Sequence, residues 1–506
     1  MTMDASRKTL LGIDFGTGGC KVTAIDFDGR LIADCSLEYP TYHEQPNWSE
    51  QEPADWYATM CRALSALAEK GVDLKAVTAL SLDGSTHNAV LLDSAMRPIR
   101  RTIMWTDQRS TAECALLREK LGDDIYQTTY QMPSPTWTLP QLMWLRNHDP
   151  ETLDRTRHIL FVKDYLRYLL TGEAATDHIE AQGTLFYDMR KRDWAEDLFE
   201  LTGLPHSVLP KLMDHVGLAG CITAQAASDT GLAKGTPVIC GTSDSAVEDY
   251  GAGAVNPGDC IVKLATAGNV NAMTAEAHPH PRTLTYGHVI SGMWYTVSAT
   301  NAAALCERWF RGLCCETEAQ EAQRRCISTY QVMDELAGQS PAGANGVFFH
   351  PYLQGERSPY WDANLRASFT GVSITSTKGD FMRALLEGVA FSLLDCYGLL
   401  RELKLPVDRL ILIGGGAKSD LWSRIICNVF NLPVDIPCHG DASFGSALLA
   451  GTGAGVFADR REAVKRCLHI RRSLTPNPSE AARYAELFAQ YRSIHDALAP
   501  IYAVRS

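Results

Sequence analysis

At 506 residues the chain exceeds what one hydrophobic core serves, so two domains of similar size with a ligand cleft between them are expected. Its 45% hydrophobic and 21% charged residues exclude a disordered or fibrous chain. The net charge of −12 argues against a general nucleic-acid or membrane-surface binder, since those need basic faces.

The 15 cysteines contain no CxxC pair and only one adjacent doublet, Cys314-Cys315, so reduced and mostly buried thiols are expected rather than zinc or disulfides. No run approaches the roughly 18 apolar residues that span a bilayer, and the start lacks a cleavable leader pattern. A cytoplasmic protein is the expectation.

Segments 9–15, 21–27 and 31–38 read as three short strands joined by tight turns, an antiparallel meander. Within them LLGIDFGTGGCK ends an apolar run in Asp14, then turns through Gly16, Thr17, Gly18 and Gly19 toward Lys21. Such a turn can offer backbone N–H groups and a hydroxyl to a phosphate while Asp14 holds a metal ion, and it can equally be an ordinary hairpin. On these residues both readings stay open. A helix is expected from Pro53, with Trp56, Met60, Leu64 and Leu67 on one face, then strands at 76–82 and 88–93. The stretch 107–202 reads as mostly helical, interrupted near 132–140.

Two polar loops lie at or before the start of that stretch: Ser85-Thr86-His87-Asn88 after one strand, and Trp105-Thr106-Asp107-Gln108-Arg109 before a helix. Their donors, acceptors and indole face suit a polyhydroxylated ligand, although one loop His or Asp alone is more often structural. Strand 237–240 runs into Gly241-Thr242-Ser243-Asp244, where Asp244 can serve as a general base, or cap the helix that follows, or both. AGAVNPGD at 252–259 is the natural boundary, giving domains 1–254 and 255–506.

The second half repeats the order in outline: strands 260–265, 270–273 and 294–299, a helix from 301, strand 347–350, helix 379–403, strand 409–413 and a helix from 420. Gly414-Gly415-Gly416-Ala417-Lys418-Ser419-Asp420 lets backbone approach a flat or anionic ligand at a helix N-terminus, or is simply a tight strand-to-helix turn. It lacks the last glycine of GxGxxG, and the chain has no GxxxxGK[ST] loop, so an NAD-dependent oxidoreductase is disfavoured.

In this order the motifs GIDFGTGGCK, GSTHN, WTDQR, GTSD and LIGGGAKSDLW resemble those of the FGGY family of carbohydrate kinases, over nearly the whole chain. NWSEQEPADWY, KDYLRYLLTGE, YLQGERSPYWD and ALLEGVAFSL add to the resemblance. It implies an α/β fold of two actin-like (ribonuclease H-like) domains with a cleft between them, ATP and Mg²⁺ as cofactors, and a small-molecule sugar or polyol as partner. It is strongest toward the branch that phosphorylates xylulose, so D-xylulose to D-xylulose 5-phosphate is the implied reaction. Ribulose, L-xylulose and erythritol are the alternatives, and whether the chain forms a homodimer is left open.

By the same resemblance Asp14 would lie near Mg²⁺, with Thr17, Gly18, Lys21 and Thr266 at the phosphates. Asp244 would take the proton of the sugar hydroxyl; Thr86, His87, Asn88, Trp105 and Asp107 would surround the sugar. Gly414, Gly415 and Gly416 would pack on the adenosine, with Asn428 near the base edge. Three departures stand out: Ala265 for a glycine in the second phosphate turn, STHN at 85–88 where xylulose-phosphorylating relatives read QMHG, and Gln141 for a lysine. Kinase chemistry tolerates these better than the identity of the sugar does. The competing class, a non-catalytic sugar or nucleotide sensor, would need neither Asp14 nor Asp244.

Overall fold

The computed structural model describes residues 9–503; the leader reading for residues 1–8 lies outside them. Two mixed sheets organise the chain. The first begins with strands Thr9–Gly16, Gly19–Ile25 and Leu31–Glu38, whose tight turns fix an antiparallel meander. Val77–Gly84 then runs parallel to Thr9–Gly16, Pro237–Ile239 parallel to Val77–Gly84, and Leu218–Cys221 antiparallel at the edge.

The second sheet repeats that scheme strand for strand. Gly258–Leu264, Gly268–Thr274 and Trp294–Thr300 form the meander, Val407–Ile413 and Val434–Pro437 add in parallel, and Ile470–Leu474 closes antiparallel. Leu284–Gly287, which the sequence pattern does not reveal, extends the meander edge. The weak repeat is therefore one of topology, carried by matching strand pairings and not by matching residues.

Helices form where apolar spacing and caps coincide. Pro53–Glu69 starts with its proline at a position needing no N–H donor, and buries Trp56, Met60, Ala63, Leu64 and Leu67 at helical spacing. Lys378–Glu402 opens on a capping box between Thr377 and Asp380. The stretch 107–202 is less helical than its pattern suggests, because strands His158–Phe161, Ala175–Asp177, Tyr187–Asp188 and Asp193–Trp194 lie within it. Short apolar runs carry no period of their own; His158–Phe161 is a strand because Ala89–Leu92 pairs with it. Likewise the helix expected from 301 begins at Ala304, because Glu356 holds Thr300 and Asn301 outside it.

The halves are not packed as separate bodies. Helix Ala442–Gly453, rich in small residues, sits on Thr9–Gly16 and Val77–Gly84 of the first sheet and against helix Asp244–Gly251. A Cβ on Gly12 would lie 1.8 Å from the Ser443 carbonyl oxygen, so only glycine admits this approach. One apolar cluster accordingly mixes Leu10 and Val247 of the first half with Ile261, Phe444 and Leu448 of the second. All 15 cysteines are unpaired and most are buried. Among the described residues no helix is long and apolar enough to cross a membrane.

Candidate active site

The carboxyl ends of the parallel strands Thr9–Gly16, Val77–Gly84 and Pro237–Ile239 converge on one crevice, the usual place for a ligand in an open α/β sheet. Asp14 and Asp83 face each other there across the first two strands. Burial pushes the Asp14 carboxyl up to about 7, with Asp244, Asp441 and Glu248 adding repulsion and the bond from Asp83 partly offsetting both. Asp83 is fully buried, and burial and Asp14 hold it well above the carboxylate range; its Oδ2 accepts from the Ser446 hydroxyl at 2.6 Å. The Oδ1 atoms of both residues are buried without a partner. Two such oxygens fit a hard divalent cation that takes only one or two protein carboxylates, and no cluster of three or more metal-ligating side chains occurs among the described residues.

The glycine turn is a hairpin after all: Asp14 pairs with Lys21 and Gly16 with Gly19. Thr17 is held from outside, its carbonyl accepting from Gln51 at 2.7 Å and its hydroxyl from the Trp105 indole at 3.0 Å. Gly18 has no heavy atom within 4 Å of a would-be Cβ, leaving the turn open to a ligand. Lys21 donates to Asp441 at 2.5 Å, with Asp34 at 3.7 Å, so its ammonium pins the hairpin to the cap of helix Ala442–Gly453.

Asp244 opens helix Asp244–Gly251, with Ser243 in the cap position. Its Oδ1 accepts from Ser245 N–H at 2.6 Å, Ser245 hydroxyl at 3.1 Å and Thr86 hydroxyl at 3.3 Å. Every hydrogen bond described for the carboxyl falls on Oδ1, which leaves Oδ2 for another partner. Burial raises its pKa while the charge of Lys263 works against that rise. Lys263 donates to Glu248 at 2.6 Å, one helical turn beyond Asp244, and so brings a cation from the second sheet to the crevice.

The sugar-loop candidates divide into two groups. His87 sits at φ 57°, with its N–H donating to Glu180 at 2.5 Å and its carbonyl accepting from Thr138 at 2.6 Å. Its ring leans on Trp137, Nδ1 is without a partner, and burial lowers the ring to about 3, so it works as a neutral imidazole. Asn88 is instead an internal brace: its NH₂ donates to Ser85, and its oxygen accepts from Trp105 N–H at 2.5 Å. Asp107, 1% exposed, is occupied by Arg109 and by Ser49 N–H. Thr86 thus bonds Asp244 and Trp105 bonds Thr17, His87 is a buried ring packed on Trp137, and Asn88 and Asp107 hold the loops that carry them.

In the second half, the turn 264–268 mirrors the first hairpin, and the Thr266 carbonyl anchors Ala303 N–H at 2.9 Å at the start of helix Ala304–Cys314. Ala265 stands in this turn without a positive φ, which is how it replaces glycine. Gly414, at φ 91°, passes so close to Leu264 that a Cβ would meet its carbonyl oxygen at 2.5 Å. Gly415 faces open space, and Gly416 packs on Trp422. Asn428 lies two turns along helix Asp420–Phe430, donating to Glu480 at 2.5 Å and accepting from Asn477 N–H at 2.8 Å. Its amide ties that helix to the start of Pro478–Ala503.

Asp83, Lys263 and Glu248 are missing from the sequence-derived set. Asp83 has the same signature that singles out Asp14, an acid closing an apolar strand before a glycine; Lys263 and Glu248 have no local signature at all.

Comparison with known proteins shows the family. The model of the FGGY family of carbohydrate kinases, N-terminal domain, matches residues 9–251, and that of the C-terminal domain residues 263–454. The xylulose kinase of Bacillus subtilis (strain 168) is 30% identical over 96% of this chain and 97% of its own, and that of Escherichia coli (strain K12) 30% identical over 97% and 100%. The solved xylulose kinase of Rhodospirillum rubrum superposes with a TM-score of 0.86 at 27% identity, covering 98% of this chain and 100% of its own. The two α/β halves have the actin-like architecture of such neighbours. The chain therefore belongs to the FGGY family of carbohydrate kinases and is a phosphotransferase of that family, which implies ATP use.

Proposed function

We propose that this kinase transfers the γ-phosphoryl group of ATP to the terminal hydroxyl of a five-carbon ketose, D-xylulose to D-xylulose 5-phosphate. The observation that carries the reading is Asp244: three donors hold its Oδ1 and fix the carboxyl beside Thr86 of the sugar loop, while Oδ2 remains for the hydroxyl proton. Burial raises its basicity toward that task. The hydroxyl oxygen bonds to the γ-phosphorus as the bond from that phosphorus to the β–γ bridging oxygen breaks, ADP leaves, and the proton passes to Asp244. Because such transition states are loose, positioning and charge neutralisation outweigh nucleophile activation.

Asp14, with Asp83 beside it, would hold Mg²⁺, which when bound neutralises phosphate charge. The turns at Thr17–Gly18 and Thr266 would receive the phosphates from the two halves, and Gly415 leaves room for the adenosine. His87, kept neutral, can accept or donate to a sugar hydroxyl without competing for the base's proton. Xylulose rests on the relatives' names and on the whole-chain likeness to them; STHN at 85–88 is where a different pentulose or polyol would be selected. The test is coupled ADP release over D- and L-xylulose, D- and L-ribulose, erythritol, pentitols and glycerol. D-xylulose should give the highest kcat/KM. A higher value for another sugar replaces the substrate, and no sugar-dependent ADP with any of them overturns the reaction.

A further inference from the structure

Strand Gly258–Leu264 feeds the turn of Thr266, and Lys263 is the last residue but one of that strand, paired across the turn with Asn269. Its side chain leaves the second sheet for helix Asp244–Gly251 of the first half, where the ammonium donates to Glu248 at 2.6 Å. That is the one hydrogen bond the ammonium makes among the described residues, and an ammonium carries three N–H donors. The side chain keeps 29% exposure, so two donors remain for a ligand. The neighbouring link between the halves is closed by contrast: Asn271 gives its NH₂ to both carboxyl oxygens of Asp249, at 3.1 and 3.0 Å.

Glu248 follows Asp244 by one helical turn on the same face, a spacing that puts Cβ atoms about 6 Å apart. An ammonium held on Glu248 therefore stands beside the base, and it reaches there from the strand that carries a phosphate turn. The Oδ2 atom of Asp244 is unspent as well, so a free acceptor and free donors stand within one turn of helix. Carboxyls otherwise dominate the crevice, with Asp244, Asp441 and Glu248 all repelling the charge of Asp14. Lys21 cannot answer them freely, because Asp441 holds it at 2.5 Å with Asp34 at 3.7 Å.

We propose that Lys263 is a catalytic residue that gives its free N–H groups to the oxygens of the phosphoryl group in flight, while Glu248 holds the ammonium in place. The inference rests on the kinase reading above and deepens it. As the sugar oxygen bonds to the γ-phosphorus, the bond from that phosphorus to the β–γ bridging oxygen breaks, ADP keeps its electron pair, and the hydroxyl proton passes to Asp244. The ammonium gives up no proton. It answers negative charge spread over the three other oxygens of the transferring group in a loose transition state. ADP has no group at that position, so the lysine contributes to transfer and not to ADP binding.

The test uses the full chain with Mg·ADP and whichever sugar gives the highest kcat/KM in the ADP-release panel. Aluminium fluoride stands in for the phosphoryl group between them, and calorimetry reads how far it tightens ADP binding. In the wild type the gain should be about 30-fold or more. K263M should lose that gain while binding Mg·ADP alone within about threefold of wild type, and its plateau kcat above the acid limb should fall roughly 10²- to 10³-fold. K263R, which keeps the charge, should retain most of the gain. K263M leaves Glu248 without its cation, so K263M/E248Q removes both partners and should respond to aluminium fluoride as poorly as K263M. A gain that survives in K263M, or returns in K263M/E248Q, reduces Lys263 to a bridge between the halves and overturns the proposal; a wild type without the gain does the same. Sugar-dependent ADP release beside any of these results leaves the kinase reading standing, whereas a wild type that releases no ADP with any sugar removes that reading itself.

Discussion

Asp14 and Asp83 stand opposite each other on parallel strands, and each keeps its Oδ1 atom buried without a partner. Two carboxyls so placed cannot both ionise cheaply, and burial pushes Asp14 from 3.8 up to about 7. An acid whose pKa is raised on folding opposes folding when it ionises, so the ligand-free protein should lose stability as pH rises from about 4 to about 7 on this account. Asp14→Asn should therefore raise the melting temperature of the ligand-free protein at pH 8, by about 2 °C or more. The same substitution should abolish the stabilisation given by Mg·ADP. Calorimetric scans with and without Mg·ADP check both signs.

The wild type should show a matching pH dependence of ligand stabilisation. A divalent ion binds the ionised carboxylate, so the melting shift caused by Mg·ADP should grow between pH 6 and pH 8 as Asp14 loses its proton. Asp14→Asn should show a flat response across the same range.

Asp244→Asn removes the proton acceptor while keeping an oxygen for Ser245 and Thr86. It should lower kcat about 10²- to 10⁴-fold with little change in nucleotide affinity, measured by steady-state kinetics and ADP titration. Near-wild-type turnover removes Asp244 from the base role.

Lys263 lowers the Asp244 pKa across the gap between the halves, although it is bonded to Glu248. Removing that charge in Lys263→Met should raise the base's pKa, so the acid limb of the kcat/KM profile moves to higher pH. A limb that stays in place shows that the lysine does not act on the base.

Asp107 and Arg109 are each 1% exposed at their side chains and paired at 2.7 Å, with Glu50 also on the guanidinium at 2.8 Å. Asp107→Asn leaves a buried cation short of one partner and should cost about 3 kcal/mol, read by denaturant unfolding. If stability holds while the sugar KM rises, Asp107 contacts the sugar directly.

The strand pattern and its turns were legible in the sequence because neighbouring residues alone create them. Asp14 and Asp244 stood out because an acid closing an apolar strand before flexible backbone has a local signature, and Asp83 carries that signature too. His87 and Asn88 read alike as loop residues, yet only the packing around them separates a buried imidazole with a free Nδ1 from a brace with both amide atoms occupied. Asn428 shows the same limit, since its partners Glu480 and Asn477 come from the start of a distant helix and the residue before it. Local spacing alone sets the order of strands and turns, the paired halves and the family motifs. Which polar atoms stay free, the pinning of one half to the other by Lys21, and the reach of Lys263 to the surroundings of Asp244 all come from long-range packing. A side chain's charge and hydrogen-bonding capacity are spent on whatever the fold brings within about 3 Å, and that neighbour lies far away along the chain.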